Sequence, residues 1–118
     1  MNDSRWLFEP PSPEQLASRA DDLIHRATLV RNDGWADYRQ LWSYGEILGV
    51  ALVLDDKQEL DQCGESVLSA LERWAYDLWG ITEGQADADL GSLRTRAWFD
   101  CLRSELGTLF SHQPPTTR

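Results

Sequence analysis

The residues best able to bind a metal or carry a proton are few in this chain, and their spacing suits little chemistry. There are two histidines, His25 and His112, and neither stands in the Glu-x-x-His pairing through which helical bundles hold carboxylate-bridged metals. His25 projects nearly opposite Leu23 on an amphipathic stretch, beside Asp21 and Asp22, which reads as a solvent-side position. His112 falls in the tail, so no Ser/His/Asp or Cys/His nucleophile can be assembled. Cys63 and Cys101 form no CxxC pair. Two small apolar free thiols are expected, although antiparallel helices would bring them within about a turn of each other, where a bond is conceivable. The acidic run Asp55, Asp56, Glu59, Asp61, Glu65 lacks the alternating ligands and the glycine of a calcium-binding loop. No metal and no cofactor is expected, and no residue is assigned a catalytic role.

One constellation does point to a site. Trp35, Arg39, Trp42 and Glu46 recur at helical spacing on a face opposite Leu48, extended by Val53. Exposed indoles are costly and are enriched where proteins meet, and an Arg and a Glu on the same strip would set register by charge. The alternative is an intramolecular cover: the arm Trp6-Leu7-Phe8 or another helix packs over the face, with Arg39 and Glu46 paired through neighbours. In the acidic run, Asp55, Asp56 and Glu59 are accounted for by the dipole of a helix that starts there. Asp61 and Glu65 are not, and they add to an acidic surface that would dock a basic partner. The expected partner-binding set is therefore Trp35, Arg39, Trp42, Glu46, Asp61 and Glu65.

Four main helices are expected to position these residues. Ser12 as N-cap, Pro13 in the first turn and Gln15 as reciprocal partner start a helix over Pro13 to Arg31, with Leu16, Ala20, Leu23, Ile24, Ala27 and Val30 on one face. A second is expected over Trp35 to Leu54, with Leu41, Leu48 and Leu52 inward. It is apolar all round from Ile47 to Val53, and Gly45 and Gly49 leave room for close helix approach. The third spans Asp56 to Trp79 with Leu60, Val67, Leu68, Leu71, Trp74 and Leu78 inward and Gly80 as its stop. Gly64 either permits a close contact within it or splits it. Residues Ile81 to Asp89 read as a loop or one short turn, and the fourth helix covers Asp89 to Phe110. The result is an all-α, antiparallel four-helix bundle-like single domain over 1–118, ordered from about 12 to 110, with a short apolar N-terminal arm and a frayed C-terminal tail. Leu23, Leu48, Leu52, Leu71, Trp74, Leu78, Leu102 and Leu106 form the expected core.

The net charge of −9, from 20 carboxylates against 11 basic residues, repels phosphate backbones and argues against direct nucleic-acid binding. No apolar run approaches the length of a membrane span, and the first residues lack the apolar core of a signal peptide, so a cytoplasmic location is expected. Ten of the 11 basic residues are arginine, a bias that suits a GC-rich bacterial genome. The function expected is a small acidic protein-interaction module of the regulator, inhibitor or immunity type, binding a protein partner or self-associating as a homodimer. Two alternatives stay open: a small helical enzyme using Glu46, Asp77 or Glu105 in acid/base chemistry, and a DNA mimic whose spaced carboxylates occupy a nucleic-acid-binding protein.

Overall fold

Capping chemistry sets where each helix begins. The computed structural model describes residues 11–111, and the arm Trp6-Leu7-Phe8, His112 and the tail beyond Ser111 lie outside them. Helix α1 (Pro13–Asp33) opens on the expected reciprocal box: Ser12 Oγ accepts from the Gln15 N–H at 3.1 Å and the Ser12 N–H donates to Gln15 Oε1 at 2.8 Å. It closes at Gly34, whose N–H still bonds the Val30 carbonyl and whose φ of 84° then turns the chain out of the helix.

Helix α2 (Tyr44–Leu54) starts nine residues later than its spacing predicts. Ser43 and Glu46 form a second reciprocal capping box, and residues 35–42 are successive turns rather than helix. Leu41, expected to face inward, is 75% exposed there. What remains of the helix is the apolar part: every residue from Ile47 to Val53 is buried, because α1, α4, α5 and the short α3 (Lys57–Gln62) surround it. Of the two glycines expected to permit close approach, only Gly49 does so. A Cβ there would lie 2.6 Å from Trp74 Cζ2 and 2.9 Å from Leu23 Cδ2, whereas one on Gly45 would meet nothing. The Trp74 indole is seated by donating to the Gly45 carbonyl at 3.0 Å.

Gly64 splits the expected third helix. With φ of 76° it ends α3, and Ser66 caps α4 (Val67–Asp89). Gly80 (φ 87°, ψ 174°) interrupts α4 as a stop should, but helix resumes at once, so Ile81 to Asp89 is helical and not a loop. Its Gly84 packs against the backbone of Ala75 and Tyr76, a tertiary contact that local composition does not reveal. Helix α5 (Leu93–Ser111) begins four residues later than expected. Asp87 supplies its cap, accepting from the N–H groups of Arg94 (2.8 Å) and Thr95 (3.0 Å) and from the Thr95 hydroxyl.

The described residues are thus all-α, four substantial helices and one short one with no strand, and none is long and apolar enough to cross a membrane. All eight residues expected in the core are buried. Trp74, Trp98 and Phe99 extend that core as an aromatic cluster, with Phe99 edge-on to both indoles at 5.6 and 5.0 Å. Leu68, expected on an inward face, is exposed. The cysteines are free thiols; Cys63 is half-buried, but Cys101 is exposed rather than packed.

Candidate functional site

Because residues 35–42 are not helical, Trp35, Arg39, Trp42 and Glu46 do not share a helix face. They instead fasten a surface strap, residues 34–43, to the helices on either side. On one side the Trp35 indole donates to Asp56 Oδ2 at 2.9 Å, and Arg39 grips Glu59 with two hydrogen bonds, Nε to Oε2 at 2.9 Å and Nη2 to Oε1 at 2.7 Å. The Glu59 side chain is only 5% exposed, and the Arg39 guanidinium is held more firmly protonated by the bonds to it. On the other side Trp42 stacks on Tyr38 at 4.7 Å and lies beneath the Arg26 guanidinium, 4.9 Å from its centroid. Arg26 also pairs with Asp22 and with Glu46, so Glu46 both caps α2 and anchors α1. The intramolecular pairing of Arg39 and Glu46 is the observed arrangement, through Glu59 and Arg26.

The strap carries carboxylates of its own to those of α3. Asp33, whose carboxylate accepts from the Tyr38 hydroxyl at 2.7 Å and holds that phenol protonated, and Asp37 precede and enter it. The Trp35–Asp56 and Arg39–Glu59 bonds then set it against the start of α3, around which Asp55 and Asp61 stand. Asp33, Asp37, Asp55 and Asp61 are all exposed, and so is Leu41 between the two anchoring sides. Trp35 also walls an open cleft of about 760 Å³, with Val30, Val53, Leu54 and Leu106 as its apolar lining and Asp55, Asp56 and Lys57 among its polar groups.

Glu65 belongs to a separate cluster. Its carboxylate accepts from the Ser69 hydroxyl at 2.6 Å, from the Tyr44 hydroxyl and from Arg73 Nε at 2.7 Å. The bonds from Ser69 and Tyr44 lower its pKa against the opposing effect of burial, with Arg73 adding to them, so it stays ionised. Tyr44 is correspondingly pushed up by its bond to Glu65. These contacts tie the α3–α4 junction to the start of α2, and Glu65 with Glu72, Arg73, Tyr76, Gln85 and Asp89 borders an open cleft of about 590 Å³.

The carboxylates considered for acid/base work are dispersed. Glu46 is in its cap, Asp77 pairs with Arg19, and Glu105 is exposed beside a shallow cleft between α1 and α5. Among the described residues no group of three or more His, Cys, Asp or Glu is placed to hold a metal ion. Sequence reasoning did not identify Asp56 and Glu59 as the strap's anchors. Ser43-Tyr44-Gly45-Glu46 was the available signal that the segment before it is not helix. No family model, curated protein or solved structure matches this chain.

Proposed function

We propose that the chain is a small cytoplasmic protein-interaction module whose docking surface is the strap and α3. The observation that carries this is a non-helical segment tied to α3 by the Trp35–Asp56 and Arg39–Glu59 bonds and to α1 through Trp42 and Arg26, with Asp33, Asp37 and Leu41 exposed on or beside it and Asp55 and Asp61 exposed around α3. Such a segment is fastened at several points along its length. Its ordering cost is met within the fold, which leaves apolar contact at Leu41 and charge attraction available to a partner. The partner it fits is a protein with a basic patch around an apolar socket, and the carboxylates steer that patch from a distance. In this reading Trp35 and Arg39 support the surface and contribute their exposed edges, and Asp61 belongs to it. Trp42, Glu46 and Glu65 hold the strap and its neighbours in place.

The test is affinity capture from a lysate of the source organism. Wild type is compared with an Asp33→Lys, Asp37→Lys, Asp61→Lys variant of unchanged circular dichroism. A basic protein retained by wild type at low salt, lost in about 0.5 M salt and absent with the variant is expected, since exposed charges are screened over about 4 Å or less at that ionic strength. Identical capture by both proteins contradicts the proposal.

A further inference from the structure

Helix α4 is two helices joined by one residue. Gly80 alone departs from helical geometry, with φ 87° and ψ 174°, and the helix resumes at Ile81. That single residue folds the second stretch back along the first: a Cβ on Gly84 would lie 2.8 Å from the Ala75 carbonyl oxygen and from Tyr76 Cα, and the Tyr76 hydroxyl donates to Gln85 Oε1. A φ of this sign is open to glycine and costly to any residue with a Cβ. If Gly80 becomes helical instead, Val67–Asp89 runs straight for 23 residues.

We propose that Gly80 is an exchange hinge, through which two copies of this chain swap everything from Ile81 through α5 and form a dimer with a continuous α4 in each. The contacts that hold the second part to the first are specific and span the hinge. Trp79 Nε1 donates to Thr95 Oγ1 at 3.0 Å, Arg94 lies 3.8 Å over the Trp79 ring, Trp74 meets Phe99, and Arg103 donates to the Leu52 carbonyl at 2.6 Å. Each can form again between copies with the same geometry, so exchange conserves the buried surface and alters only the hinge. The back-folded pairs, Ala75 with Gly84 and Tyr76 with Gln85, straddle Gly80 evenly. Two straight α4 helices laid antiparallel about an axis at Gly80 therefore satisfy the same pairs twice. Ile81, next to the hinge and 53% exposed, comes to that axis against its own copy and leaves water. The strap and α3 precede the hinge, so this exchange is independent of the docking surface proposed above.

The test measures mass by light scattering after concentration and after refolding from denaturant, for wild type, Gly80→Ala, and a variant with four Gly/Ser residues inserted after Gly80. Alanine is strained in the folded-back form and favoured in the straight helix, at two hinges per dimer, so Gly80→Ala is expected to dimerise about tenfold or more tightly. The lengthened hinge relaxes the fold-back and is expected to remain monomeric. Exchange is separated from simple association by Tyr76→Cys with Gln85→Cys in a Cys63→Ser, Cys101→Ser background: a short bismaleimide joins two chains in the dimer and closes one chain in the monomer. A monomeric Gly80→Ala with wild-type helicity overturns the proposal, and so does a dimer cross-linked only within chains. Should Gly80→Ala fail to fold, the comparison of wild type with the lengthened hinge decides. A dimer found only in wild type supports exchange, and equal masses overturn it.

Discussion

Arg39 and Glu59, twenty residues apart, meet in a two-pronged ion pair in which the acid is nearly buried and the base remains half open to water. This asymmetry makes removal of the base the more damaging change, because the carboxylate left behind has lost both its water and its partner. Arg39→Ala is expected to lower the urea midpoint, and adding Glu59→Gln is expected to recover part of the loss by removing the orphaned charge. Strictly additive effects in that double-mutant cycle would mean the pair does not couple the strap to α3.

Leu71 is 2% exposed at the centre of the core. Leu71→Ala is expected to destabilise by about 2–5 kcal/mol in urea unfolding, the range for a truncated buried leucine. A cost below about 1 kcal/mol would place its side chain outside the packed interior.

Gly49 and Gly45 make a matched pair of tests on one helix. Gly49→Ala drives a methyl group into the Trp74 ring and Leu23, and overpacking of this kind costs about 1–3 kcal/mol. Gly45→Ala meets nothing and is expected to leave stability unchanged or raise it by up to about 1 kcal/mol through lower chain entropy. Thermal unfolding of the two variants checks the contrast; equal effects would contradict the close approach of Trp74 to α2.

What local pattern could reveal was revealed. Leu23, Leu48, Leu52, Leu71, Leu78, Leu102 and Leu106 stand at helical spacing within their elements, and all seven are buried as that period requires. The failures arise where a longer-range or competing signal decides. Trp35, Arg39, Trp42 and Glu46 have helical spacing, but the capping box at Ser43 starts α2 after them, and the partners that fix the strap, Asp56, Glu59 and Arg26, lie on other helices. Ile81 to Asp89 has too few apolar residues to announce itself as a helix. Its stability comes from Gly84 against the α4 backbone and from Asp87 at the α5 terminus, neither visible in a local window.

Acid should weaken the turn between α4 and α5 before it reaches the leucine core. Burial raises the Asp87 pKa, but hydrogen bonds from the Thr95 hydroxyl and from the Arg94 and Thr95 amides outweigh it, so the folded value lies below the ordinary carboxylate value. A depressed folded pKa contributes stability that is fully present above the unfolded value of about 3.9 and is lost as pH falls through the folded one. Asp87→Asn is therefore expected to be less stable than wild type at pH 7, with the difference narrowing below about pH 4. A stability difference independent of pH, measured by urea unfolding at several pH values, would show that the cap does not depend on the charge.

Amide hydrogen exchange with and without the captured protein reads whether a partner sits on the strap and α3. Slowed exchange concentrated in residues 35–42 and 57–63, together with an affinity reduced about tenfold or more by Leu41→Asp, is the predicted result. Protection confined to α5 or to the cleft between Glu72 and Asp89, with the strap unchanged and Leu41→Asp binding as wild type does, would contradict it.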